Sequence, residues 1–298
     1  MSRLLLALAC LAATTPGAPP ATPRRIVSLS PSATEVLFAA GLGPLVVGVT
    51  NHCRFPPEVL SLPKVGAYLT PSYEALLALK PDLVITLPEQ ADLEPRLAAL
   101  RIPLQQVDHR SLDAIIRSIE QVGRRGGAET SAMRAAGTLR QALAAARRTA
   151  PAAGPRTLIC FGRAEDFRRL YAAAPGTVHH DLITQAGGVN VLTSTAIAYP
   201  TMSAEGVMRL DPDVIIEFVS RDDDAELLRR QWQRLGSLRA VKTNRVHVFT
   251  GAFLSVPGPR FVRLVTDIAA LLARPNLARP TWFGAASDGP LSAGGGDR

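Results

Sequence analysis

The stretch that most constrains the fold is the Ala- and Arg-rich run at residues 128–149, which contains no proline. Ala132, Met133, Ala136, Leu139, Leu143 and Ala146 recur at three- and four-residue steps, while Arg134, Arg140, Arg147 and Arg148 lie largely off that stripe. The spacing predicts one helix, roughly 30 Å long at 1.5 Å per residue. On either side of it short apolar strands alternate with helical patterns. The expected fold class is therefore α/β: two α/β lobes with mainly parallel sheets, joined by one long backbone helix, with a ligand cleft between the lobes. A rigid strut between them predicts a cleft that closes little. The expected boundaries are 24–127 for the first lobe, 128–150 for the helix and 151–273 for the second lobe, followed by a disordered tail at 274–298.

In the first lobe, a strand at 25–29 runs into a helix at 33–40, with Ser32 read as its N-cap and Glu35 as the capping-box partner. A second strand at 45–49 delivers His52 to the loop beyond its carboxyl end, where open α/β sheets bind ligands. Residues 72–85 then line up without a gap against 203–216. Both segments keep Ser, Glu, Leu and Pro-Asp before an apolar strand, so each lobe repeats one helix-turn-strand unit. Ser72 and Ser203 can cap these helices, and Glu74 and Glu205 fall in the first turn, where the helix dipole favours an acid by roughly 0.3–1 kcal/mol. Those two acids also form an approximately two-fold-symmetric pair that a symmetric partner with basic sockets would read.

A length of 298 residues allows about two domains. The net charge of +8 is spread along the chain with no concentrated basic stripe, so nucleic-acid binding is not expected. Arg3 followed by an apolar run at 4–13 reads as an export signal, giving a leader over 1–23 and a periplasmic location. Lipoprotein processing at Cys10 is the competing reading, on an imperfect lipobox. Export would permit Cys53 and Cys160 to pair, but they sit in different lobes, and two unpaired thiols are the expected state.

No catalytic motif is present: there is no G-x-S-x-G, H-E-x-x-H, phosphate loop or G-x-G-x-x-G after a strand. No catalytic residue, resident cofactor or metal site is therefore assigned, and His109, His179, His180 and His247 are read as surface or packing residues. A secreted enzyme using His52 or Cys53 is the competing class. A bare-metal receptor would need three or four converging ligands. The scarce aromatics are more telling. Tyr68, Tyr171 and Tyr199 fall in predicted loops, and Phe253 follows the strand at 246–249, a pattern suited to a cleft for a flat or bulky apolar ligand.

At these residues the chain resembles the periplasmic substrate-binding proteins of ABC importers for vitamin B12, haem and ferric siderophores. The resemblance runs over about residues 24–273 and is carried by RIVSLSPSATE at 25–35, RFPP at 54–57, LKPDLVI at 79–85 with its second copy, AGG at 186–188, and Pro259-Arg260. It implies a monomeric receptor that carries a small-molecule metal chelate to an ABC permease dimer in the inner membrane, docking through Glu74 and Glu205. It places His52, Tyr68, Tyr171, Tyr199, Phe253 and Arg260 at or near the ligand, with the aromatics stacking on it, Arg260 offering a charged hydrogen bond, and His52 a polar contact or a ligand to its metal. Where Tyr68 and Tyr199 stand, a vitamin B12 binder of the family carries tryptophans. A tyrosine can stack likewise or can ligate ferric iron. The haem group's usual arrangement is not reproduced between Val65 and Glu74, and one arginine is little charge for an anionic ferric siderophore. Cobalamin or a related corrinoid is the expected cargo, with haem or a ferric siderophore as the alternative.

Overall fold

The computed structural model describes residues 22–151, 153–221 and 224–273. Cys10, nearly all of the expected leader and the whole of the expected tail lie outside the described residues. The first lobe runs β1 (Ile26–Ser28), α1 (Pro31–Ala39), β2 (Val46–Val49), α2 (Tyr73–Ala78), β3 (Leu83–Thr86), α3 (Glu94–Ala99), β4 (Leu104–Gln106) and α4 (Leu112–Gly126). Its strands form one parallel sheet in the order β2-β1-β3-β4. Then comes α5 (Glu129–Thr149), the joining helix, buried along Ala132, Ala136, Leu139 and Ala146.

The second lobe runs β5 (Arg156–Phe161), β6 (Leu170–Ala172), α6 (Val178–Gln185), β7 (Val189–Asn190), β8 (Thr201–Met202), α7 (Ala204–Leu210), β9 (Val214–Val219), α8 (Ala225–Gln231), α9 (Arg239–Lys242), β10 (Val246–Thr250) and α10 (Pro259–Ala273). Its sheet is mixed: β10-β9-β5 is parallel and β7 adds to β5 in parallel, whereas β6 and β8 join antiparallel. This corrects the expected loop around Tyr171, which is the middle residue of β6. A strand of three residues shows no period in the sequence, and pairing with β5 is what defines it.

The helix α10 packs on α5 and α6 and reaches α1 and α4 of the first lobe, so a second brace crosses between the halves. Apolar residues of α1, α4, α5, α6 and α10 share one continuous buried cluster, with a smaller core under each sheet. Close helix approach explains part of the composition. A Cβ at Gly123 of α4 would clash with the Ala132 methyl of α5, so only glycine fits there. Polar contacts also cross: Asp181 of α6 accepts from the Leu112 amide at 3.0 Å, which caps the start of α4 from the other lobe.

The repeated unit is reproduced in detail. In both copies the residue before the proline, Lys80 or Asp211, takes a left-handed conformation, and the following Asp caps the first strand of its lobe. Asp82 accepts from the Arg25 amide at 2.9 Å and Asp213 from the Arg156 amide at 2.9 Å. Arg25 and Arg156 then return a side-chain bond to the carbonyls of Leu79 and Leu210.

Candidate functional site

The start of α1 differs from expectation, and the difference builds the site. Ser30 is the N-cap, with its hydroxyl accepting from the Ala33 amide at 3.0 Å, and Pro31 opens the helix. Glu35 is therefore not a capping-box partner. It lies buried where the lobes meet and accepts two bonds on Oε1 from Arg260 of α10, at 2.6 and 3.1 Å. Burial pushes its carboxyl up, against the lowering effect of Arg260. The guanidinium also lies over Phe55 at 4.0 Å and Phe253 at 5.4 Å from the ring centres. Glu35 Oε2 is buried without a partner, and a side chain at Gly258 would press on it.

Around that pair opens a cavity of about 1120 Å³, walled by both lobes and by α10. His52, Tyr68, Phe253 and Arg260 line it, together with Arg54, Phe55 and His109. The loop bearing Tyr68 is held by buried Gln90, whose amide donates to the Tyr68 carbonyl at 2.6 Å and to the Leu29 carbonyl at 2.8 Å. The Tyr68 hydroxyl faces Glu89 at 3.4 Å, and burial together with the Glu89 charge pushes the phenol up to about 12. His109 bridges Glu89 at 3.4 Å and Ser32 at 3.1 Å. It thus stands in the cavity wall and is not a simple packing residue, a placement that needs the loop after β4 to meet the start of α1.

Tyr171 and Tyr199 line a second cavity of about 690 Å³, and Ser255 forms part of the wall of both cavities. Here the aromatics form a rigid wall. Phe161 stacks on Tyr171 with 6.1 Å between ring centres and meets Tyr199 edge-on at 5.4 Å. His179, buried and pushed down to about 4 by desolvation, is neutral and shares a hydrogen bond with the Tyr199 hydroxyl at 3.2 Å. Burial raises the Tyr199 phenol, a hydrogen bond with Thr177 opposes that rise, and the charge of Glu89 in the other lobe adds to it. The turn between β5 and β6 is pinned by Arg163, which donates to Glu217 and to Gln231, each at 2.9 Å. Gly162, at φ +59°, lets the chain pass within contact of the Tyr171 ring.

A protein-family model described as "Periplasmic binding protein" matches residues 26–251. A vitamin B12-binding protein of Vibrio cholerae is 32% identical over 260 residues, 86% of this chain and 91% of that protein. One from Pectobacterium carotovorum is 30% identical over 257 residues, covering 85% and 89%. The chain belongs to the periplasmic binding protein family. The crystal structure of the periplasmic vitamin B12-binding protein BtuF of Vibrio cholerae superimposes with a TM-score of 0.71 at 27% identity, covering 84% of this chain and 96% of that one. The periplasmic haem-binding protein RhuT from Roseiflexus sp. gives 0.69 at 28%, covering 85% and 98%.

Within that frame, Glu74 and Glu205 are exposed in the first turns of α2 and α7, whose N-caps are Ser72 and Ser203. Cys53 and Cys160 are both free and buried, one in each lobe. Among the described residues no helix is long and apolar enough to cross a membrane. Phe161 and Arg163 carry no signal in the sequence, whereas His179 reads there as a surface or packing residue and Glu35 as a capping-box partner. One signal was available: the offset that aligns Ser72 with Ser203 also aligns Tyr68 with Tyr199, so the repeat reads Tyr-x-Thr-x-Ser-x-Glu in both lobes.

Proposed function

We propose that this protein is the periplasmic receptor of an ABC importer, that it binds cobalamin or a related corrinoid without turning it over, and that it hands the ligand to a dimeric permease. The observation that carries the reading is the pair of equivalent tyrosines, Tyr68 and Tyr199, in the walls of two adjoining cavities whose combined walls come from both lobes. A large, flat, amide-rimmed macrocycle suits such a cleft. Its faces would stack on Tyr68, Tyr171, Tyr199 and Phe253, with Phe161 and His179 holding the second-lobe rings in place. His52 and Arg54 at the exposed rim would meet its polar edge. The B12-binding names of the relatives at 30–32% identity support the same cargo.

Haem is the second reading, favoured by the likeness to the Roseiflexus haem-binding protein. Against it, the arrangement usual around a haem-binding tyrosine is not reproduced between Val65 and Glu74. Arg260, with Glu35 as its partner, is assigned to organising the cleft rather than to neutralising an anionic chelate. Glu74 and Glu205 are assigned to permease docking. Parallel calorimetric titrations of the mature protein with cyanocobalamin and haemin test the cargo. Saturable binding of the corrinoid alone is the expected result, and binding of haemin alone overturns it.

A further inference from the structure

The outward faces of α2 and α7 match beyond their acids. Along the repeat Leu76 pairs with Val207, both fully buried, and the next residues, Leu77 and Met208, are 44% and 38% exposed. Each of these apolar side chains stands three residues after an exposed acid, Glu74 or Glu205, and residues so spaced are neighbours on a helix surface. One exposed leucine is ordinary. Its counterpart in the other lobe is Met208, beside an equivalent acid; the Met208 sulfur meets the Ser237 hydroxyl at 3.7 Å, but the core under each helix is already filled by the neighbouring residue, Leu76 or Val207.

We propose that each docking face is a pair, an acid with an apolar side chain, and that Leu77 and Met208 enter apolar sockets beside the cations that receive Glu74 and Glu205. The occupant is the two-fold-symmetric membrane permease, and the inference rests on the permease reading above. Two like surfaces displayed by the two lobes of one chain fit a partner with two like subunits, and fit a single asymmetric partner poorly. The division of labour follows from the chemistry. Rim charges steer approach and make association salt-sensitive, whereas a desolvated apolar anchor acts on dissociation and is indifferent to salt.

The test uses the mature receptor and its importer's permease in nanodiscs, with binding followed by interferometry at about 50 and about 300 mM salt. Leu77→Ser with Met208→Ser should weaken the complex about tenfold for each substitution at both salt concentrations. Glu74→Ala with Glu205→Ala should flatten the salt dependence. Met133→Ser, at an apolar residue 47% exposed on α5, is the control and should bind like the parent. Unaltered thermal unfolding and corrinoid titration of the serine variant exclude misfolding. Parent-like permease binding by the serine variant, with loss in the alanine variant, overturns the apolar anchors and leaves the docking acids standing. Parent-like binding by both overturns the docking surface itself.

Discussion

The buried pair between Glu35 and Arg260 makes a stability prediction that the structure fixes in size and in sign. The two side chains are 1% and 8% exposed and lie 225 residues apart in the chain, so they tie α1 to α10 across the cleft. Arg260→Met keeps an apolar stem over Phe55 and removes the charge. Breaking a buried pair from one side costs about 3–5 kcal/mol, because the surviving charge is sealed from water. The backbone amide of residue 260 also acts on the Glu35 carboxyl and survives the substitution, so a cost of about 3 kcal/mol, the lower end of that range, is expected near pH 8. The pH dependence follows from burial. A carboxyl whose pKa is raised in the folded state binds its proton more readily folded than unfolded, so its contribution is fullest at low pH and is lost as pH rises through the folded value. Without Arg260 the carboxyl shifts further up. The variant then protonates Glu35 where the parent keeps a pair, and the cost shrinks toward acid. Urea titrations near pH 5 and near pH 8, read by the fluorescence of buried Trp232, measure it. Taking variant against parent at each pH cancels His179 and His247, both pushed down to about 4 and acting with the opposite sign. Glu35→Gln with Arg260→Met removes both charges and should recover most of the loss. A cost below about 1 kcal/mol near pH 8, within the range of ordinary substitutions, or an equal cost at both pH values, refutes the reasoning.

Three further outcomes are expected. Gly137 lies inside α5 with open space where a Cβ would stand, so Gly137→Ala should stabilise by about 0.5–1 kcal/mol in urea titration, whereas Gly123→Ala should destabilise because it meets Ala132. Asp267 of α10 is pushed up to about 8 by burial, so its share of stability is lost as pH rises through that value. Asp267→Asn should therefore be more stable than the parent by about 1–2 kcal/mol near pH 9 and not near pH 5, as read by urea midpoints. Glu74→Ala with Glu205→Ala should leave corrinoid affinity intact and cut uptake in a transport assay, and unchanged uptake removes the docking assignment.

The sequence made visible what repeats locally. The joining helix has its stripe over 21 residues, and the helix-turn-strand unit recurs as a contiguous segment, so both could be read from spacing alone. The N-cap of α1 could not, because Ser30 and Ser32 both precede an apolar run, and the choice is made by Pro31 and by Glu35 turning inward to Arg260. Tyr171 looked like a loop residue because β6 is three residues long and exists through its neighbours β5 and β8. The same holds for His109 and Arg163, whose partners come from other strands and helices. The ring-bearing residues of the cleft were thus largely legible as types. The polar network that positions them was not, since no local pattern encodes a contact between distant segments.

The placement of Tyr68 and Tyr199 allows one last question to be decided, whether the ligand spans both cavities. Tyr68 makes its contacts with Glu89 and Gln90, and Tyr199 with His179 and Phe161, so neither ring rests on the other's neighbours. Losses from independent sites add. If one macrocycle touches both rings, Tyr68→Ala and Tyr199→Ala should each weaken corrinoid binding by about 1 kcal/mol or more, and the double variant by the sum. Tyr68→Phe should bind almost as tightly as the parent, since a ring that stacks does not need its hydroxyl, whereas a tyrosine that ligates metal cannot lose it. Tyr199→Phe forfeits the bond to His179 and should cost more than Tyr68→Phe, by freeing the ring to turn. If the ligand instead occupies only the larger cavity, Tyr199→Ala leaves calorimetric affinity at the parent value while Tyr68→Ala lowers it. That outcome would leave the second cavity's aromatic wall outside the binding site and would remove the reading of the two tyrosines as a matched pair.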